Sequence, residues 1–251
     1  MTKKINSEGK YLTFPGVTVV SAINEADKPF WQLIDEALNK NKEFTDHFAP
    51  LPYESYHLTT INLYTNDEIG DKKWRRFIIS KNAFFQSLNG LLAEKSFNPV
   101  VSVESINITG ALQMMVTLPE EQIRIIQQVA KAHHVKARIP SVFHITLAYQ
   151  FQYVEQKVLE KLELELRQEI FAILKRHEGK LSLTPPELCF FNSMTKFTPW
   201  SGDGYPFPES IVDSSTLFSR EKAPKKGTFS ARVLSKRVRL GISLCMRSSG
   251  N

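Results

Sequence analysis

Two short stretches of this chain set an imidazole and a hydroxyl side by side on what reads as a β-strand. The first is Tyr56-His57-Leu58-Thr59-Thr60-Ile61, and the second is Phe143-His144-Ile145-Thr146-Leu147-Ala148-Tyr149. Both are rich in β-branched, apolar and aromatic residues, and Pro140 marks a boundary just before the second. On a strand, residues i and i+2 share a face. His57 therefore projects with Thr59, and His144 with Thr146, while Phe143, Ile145 and Leu147 turn the other way, toward a core. The doubling of this arrangement is either an active site or an accident.

The rest of the chain supplies further elements. Val17 to Ile23 reads as a strand after Pro15-Gly16. A helix opens at Pro29 and covers Phe30, Trp31, Leu33, Ile34, Ala37 and Leu38, with Asp27 as its expected N-cap. Trp74 to Leu92 reads as partly helical, and Val100–Thr109 and Ala111–Leu118 as two strands joined tightly at Gly110. Pro119-Glu120-Glu121 starts a helix ending near His133-His134, where a cation suits the helix dipole. A long helix follows from Val154 to about His177, with Gly179 as its stop, and then strands at Leu181–Thr184 and Glu187–Phe197. Strands and helices alternate, yet several strands are neighbours in sequence. This favours an α+β fold over a doubly wound parallel one, built from two similar halves that each deliver one His/Thr strand.

Charge separates a body from a tail. From Arg220 onward nine basic residues face only Glu221, whereas the remainder holds 23 basic and 25 acidic residues. A near-neutral body is not the broad basic surface of a tight duplex binder, and it favours a small substrate. The domain is expected over residues 10–203, with 204–251 a basic and flexible C-terminal extension. No apolar run approaches the ~20 residues of a membrane span, and the start lacks a signal-peptide h-region. Cys189 and Cys245 form no CxxC pair, which fits a reducing, cytoplasmic setting. A monomer is expected, with no membrane partner, no metal and no cofactor.

The paired motifs suit phosphodiester chemistry. Cleaving such a bond requires one group to take a proton and another to give one, and two imidazoles titrating near neutrality can do both. The two hydroxyls can donate to non-bridging oxygens, where charge grows in the transition state. Arg138, six residues before His144, is a further candidate for the phosphate, and Phe197 for a stacking platform. Tyr149 is a candidate substrate contact, although strict alternation turns both it and Tyr56 away from the His/Thr faces unless a bulge intervenes.

His-Leu-Thr-Thr at 57–60 and His-Ile-Thr-Leu at 144–147 resemble the paired motifs of the 2H phosphoesterase superfamily, which includes 2′-5′ RNA ligase-like proteins and cyclic phosphodiesterases. Phe14-Pro15-Gly16-Val17-Thr18-Val19-Val20 and Glu187-Leu188-Cys189-Phe190-Phe191-Asn192-Ser193-Met194-Thr195-Lys196-Phe197 look like an uncharacterised, mainly bacterial branch of it. The resemblance spans about residues 10–203. It implies a bilobal fold, two β-α-β-type halves with mixed or antiparallel sheets around a central cleft. It also implies a metal-independent phosphodiesterase with His57 and His144 catalytic and Thr59 and Thr146 binding substrate. The substrate would be a small nucleotide or an RNA end carrying a cyclic or 2′-5′ phosphodiester. A non-catalytic nucleotide- or RNA-binding module, and an RNA-end ligase or exonuclease of the same superfamily, are the alternatives.

The plainer readings stand beside these. A single strand histidine is more often a hydrogen-bonded structural residue, so the claim rests on the doubled motif. His47 and His177 read as surface residues, and the Leu159-to-Leu174 stripe as core or a partner face.

Overall fold

The structure, a computed structural model, describes residues 4–177 and 180–208 of the 251. In chain order the elements are β1 (Gly16–Ala22), α1 (Lys28–Lys40), α2 (Lys42–Thr45), β2 (Phe48–Pro50), β3 (His57–Thr65), α3 (Asn66–Ile69), α4 (Asp71–Ser80), α5 (Asn82–Glu94), β4 (Val100–Ile108), β5 (Ala111–Thr117), α6 (Glu120–Ala132), β6 (His144–Gln150), α7 (Gln156–Arg176), β7 (Lys180–Ser182), β8 (Glu187–Ser193) and β9 (Lys196–Pro199). Among the described residues these strands form one sheet in the order β7-β4-β5-β6-β3-β1-β8-β9, with β2 pairing β6 off that path. Every pairing is antiparallel. The expected α+β fold with two halves is present. β7, β4, β5 and β6 make one half and β3, β1, β8 and β9 the other, so the two His/Thr strands are the inner strands where the halves meet.

That junction is narrow. β3 pairs with β6 through Leu58 and Ile145, both fully buried. Further along β6 its edge is taken by β2, with Phe48 opposite Gln150 and Pro50 opposite Ala148. Leu51 N–H then donates to the Leu147 carbonyl at 2.8 Å, and a 3₁₀ turn at Tyr53–Ser55 intervenes before β3 begins.

Helices cover one face of the sheet. Thr60 and Ile61 of β3 meet Leu92 of α5 and Ile126 and Val129 of α6. The α7 stripe of Leu162, Leu166, Ile170, Ile173 and Leu174 is buried, with α1 and β4 as neighbours, so it belongs to the core. Such a stripe is the i, i+3, i+4 pattern of a helix seated on a sheet. Gly16 is required by a close approach. A Cβ there would collide with the Phe191 ring across the β1–β8 ladder.

Several expectations are corrected. Asp27 makes no side-chain cap to α1. Its buried carboxylate instead accepts the Ser182 N–H at 2.9 Å and faces His177 Nε2 at 3.1 Å, tying the end of α7 to β7. His177 is therefore a tertiary partner rather than a free surface residue, because a buried carboxylate favours donors from whatever element reaches it. The helical stretch at 74–92 breaks at Lys81 into α4 and α5. The run from Glu187 to Phe197 is a hairpin of two strands. Its turn is closed by Ser193 and Thr195, whose hydroxyls lie 2.7 Å apart, rather than by Gly or Pro. Tyr205 and Phe207 pack on the body, with Phe207 buried against Trp74 and Phe190. Gly179 and residues 209–251 lie outside the described residues. Among the described residues no helix is long and apolar enough to cross a membrane.

Candidate active site

The antiparallel register fixes how the two motifs face each other. With Leu58 opposite Ile145, His57 lies across from Thr146 and Thr59 across from His144. The four side chains share one face of the sheet, the histidines on one diagonal and the threonines on the other. Diagonal neighbours across an antiparallel pair are about 7–8 Å apart along the backbone, room for a tetrahedral group between two imidazoles. All four line a single cavity of about 410 Å³, which also receives Arg138, Tyr149 and Phe197.

Both imidazoles are oriented alike. His57 Nδ1 lies 2.7 Å from the Ser55 carbonyl and His144 Nδ1 lies 3.3 Å from the Val142 carbonyl, in each case the residue two before. A carbonyl only accepts, so these contacts put the proton on Nδ1 in the neutral ring and leave Nε2 as the acceptor nitrogen. Their surroundings differ. The Phe197 ring sits over His57 with centroids 3.9 Å apart. Burial, with the nearby His144 and Lys4 charges, lowers the His57 pKa to about 4, against the opposing pull of the Ser55 carbonyl. His57 is thus neutral at pH 7. Beside His144, Val142 is exposed.

Of the two threonines in Thr59-Thr60, only the first faces the cavity. Thr60 is buried and its hydroxyl donates to the Val19 carbonyl at 3.3 Å. Thr59 and Thr146 face the cavity, and among the described residues their hydroxyls take no protein partner.

The bulge that would bring Tyr149 to this face is present. Along β6, Leu112 pairs with Ala148 but Gln113 pairs with Thr146, so one extra residue is inserted at Leu147. Leu147 and Ala148 are both buried, the alternation is reset, and Tyr149 joins Thr146 on the cavity side. Tyr56 stays off the face, fully buried in an edge-on contact with Trp31.

Arg138 reaches the cavity but does not arrive free. Its guanidinium stacks on Tyr64 at 4.5 Å, donates to the Leu63 carbonyl, and lies 3.2 Å from Glu68 Oε1. Glu68 also accepts the Thr65 N–H at 3.0 Å, so it is held in place to compensate the arginine. The residue that sequence reasoning missed is Lys4. Its ammonium lies 3.2 Å from the Tyr149 hydroxyl and over the Tyr149 and Phe14 rings, at 5.0 and 5.4 Å, on the cavity wall. It sits six residues before the expected domain start, in a polar stretch with no motif around it. The isolated bridge between Ile5 and Tyr11, which folds that stretch back, carries no sequence signal. Among the described residues no cluster of three or more His, Cys, Asp or Glu could hold a metal ion.

The antiparallel α+β sheet thus presents a His-x-Thr from each of its two inner strands to one cavity. Residues 4–122 match the 2H-phosphodiesterase family described as "Domain of unknown function (DUF1868)", a stretch that includes the first motif. A curated relative, "Uncharacterized protein 127L" of Invertebrate iridescent virus 6, is 28% identical over 223 residues, covering 78% of this chain and 93% of its own length. The fold is shared with a solved conserved protein of unknown function, ATU0111 from Agrobacterium tumefaciens str. C58. That likeness has a TM-score of 0.63 and 19% identity, and covers 80% of this chain and 90% of the other. A structure of Kluyveromyces marxianus Usb1 with uridine monophosphate aligns at a TM-score of 0.38 and 14% identity, over 75% of this chain and 98% of that one.

Proposed function

We propose that this chain is a metal-independent phosphodiesterase that hydrolyses a cyclic or 2′-5′ phosphodiester of a nucleotide or RNA end. The observation that carries the reading is the diagonal arrangement of two histidines and two unpartnered threonines on one cavity face. The phosphorus sits between the imidazoles. His57, neutral at pH 7, takes a proton from water through Nε2 as the water oxygen attacks phosphorus. For this step His144 must enter with both ring nitrogens protonated, keeping Nδ1–H on the Val142 carbonyl and giving its Nε2 proton to the departing ribose oxygen as the P–O bond breaks. Attack and departure lie along the histidine diagonal, which leaves the non-bridging oxygens pointing toward Thr59 and Thr146. Their hydroxyls donate there as charge develops. The cavity wall of Phe14, Phe191 and Phe197 offers rings to the nucleoside.

The test is turnover of 2′,3′-cyclic nucleotides, 2′-5′ oligoadenylate and RNA ending in a cyclic phosphate, all in chelator, by the wild type, His57→Ala and His144→Ala. Turnover that survives chelator and disappears in both variants is expected. Activity lost to chelator overturns the metal-free mechanism, and equal turnover by either variant overturns the site. Binding without any turnover points instead to a nucleotide-binding module.

A further inference from the structure

Next to the cavity that holds the His/Thr quartet lies a second one of about 370 Å³, lined by Asn6, Ser7, Gln150 and Phe151. The two share Lys4 and Tyr149 as their common wall. Both volumes fall within the range of about 300–1,000 Å³ of small-ligand pockets. The charges in and around the first cavity are unevenly placed. At one end Arg138 is compensated by Glu68. At the other Lys4 is held only by the Tyr149 hydroxyl and two ring faces, with no carboxylate partner among the described residues. An ammonium on aromatic faces keeps most of its attraction for an anion, since a ring quadrupole does not neutralise it as a carboxylate would.

The reacting phosphate already has four donors or acceptors of its own in His57, Thr59, His144 and Thr146. A cation with no carboxylate partner among the described residues, at the passage to the next cavity, is placed for a different anion. Resting on the proposed phosphodiesterase reading, we infer that the substrate is longer than one nucleotide. Its chain crosses from the first cavity to the second at Tyr149, and Lys4 receives the phosphate adjacent to the one that reacts. The class is therefore an oligonucleotide end with at least two phosphates, rather than a cyclic mononucleotide. A charge-assisted contact of this kind is worth about tenfold in affinity.

The experiment is calorimetric binding of adenosine 3′-phosphate, adenosine 3′,5′-bisphosphate and a diadenylate with a terminal 3′-phosphate. It compares the wild type with Lys4→Ala, Lys4→Arg and Gln150→Trp. The wild type should bind both two-phosphate probes about tenfold more tightly than the monophosphate. Lys4→Ala should erase that preference while leaving monophosphate binding unchanged, and Lys4→Arg should retain most of it. Gln150→Trp, which fills the second cavity from its own wall, should weaken the diadenylate alone. Absence of a second-phosphate gain in the wild type, or its persistence in Lys4→Ala, overturns the inference. An equal loss for all three probes in Lys4→Ala also overturns it, because Lys4 would then serve the reacting phosphate. Failure of the underlying reading is separately visible as failure to bind the monophosphate at all.

Discussion

The two His-x-Thr strands are nearly the same in backbone and unlike in surroundings. Each histidine bonds a carbonyl two residues back through Nδ1, and each threonine stands opposite the other strand's histidine. Yet His57 lies under Phe197 with a pKa pulled to about 4, whereas His144 adjoins the exposed Val142. A shared backbone device fixes where the nitrogens point, and the side chains packed around His57 keep that ring neutral. Symmetry of geometry thus coexists with an asymmetry of surroundings.

The sharpest break in this comparison is removal of either imidazole. His57→Ala and His144→Ala should each lower kcat/KM by about 10²–10⁴, read by steady-state kinetics on the best substrate. A large loss in only one variant would make the second motif a binding element. Next come the hydroxyls. Thr59→Val and Thr146→Val should each cost about 10²-fold, mostly in kcat, since the donors act where charge develops. Near-equal losses preserve the diagonal picture, and loss confined to KM breaks it.

The asymmetry itself is tested by Phe197→Ala. Opening His57 to water removes part of the burial that lowers its pKa, so the value should rise from about 4 toward the ordinary imidazole range. Imidazole proton NMR reads this directly, and the acidic limb of the kcat/KM profile should move to higher pH with it. The same shift has a stability consequence. The folded state binds fewer protons at His57 than the unfolded chain, so its contribution is complete above the unfolded pKa of about 6.5 and is lost as pH falls toward 4. Wild type should therefore lose more Tm between pH 6.5 and 4 than His57→Gln. The smallest expected effect is a loss of a few-fold in affinity for two-phosphate ligands in Tyr149→Phe, which removes the hydroxyl that steadies Lys4.

Much of this was readable from residues alone. The alternation in 56–61 and 143–149 names the four polar groups, and helix and strand periodicity places most elements. What escaped depends on pairing across distance. Tyr149 reaches the cavity because β6 gains one residue against β5 at Leu147, and a bulge is a property of two strands rather than one. Asp27 precedes Pro29 as a cap should, but a carboxylate brought near Ser182 and His177 gains more from them. Ser193-Met194-Thr195 turns the chain without glycine or proline, so β8 and β9 read as one strand. Arg138 was found by proximity to His144 in sequence, while its compensation by Glu68 requires a contact between residues 70 apart.

The single Leu58–Ile145 pair has a consequence for how the site comes into being. Its partners are 87 positions apart in the chain, so the loop between them must close before any ladder bond repays the lost entropy. The β1–β3 and β5–β6 ladders each pair residues nearer in sequence and still hold only one imidazole. Assembly of the His/Thr quartet is then a later event than either of those ladders, and a local opening at this seam would take the quartet apart while most of the sheet stays protected. Hydrogen exchange at Leu58 and Ile145 faster than at the β1–β3 and β4–β5 ladders would be its signature.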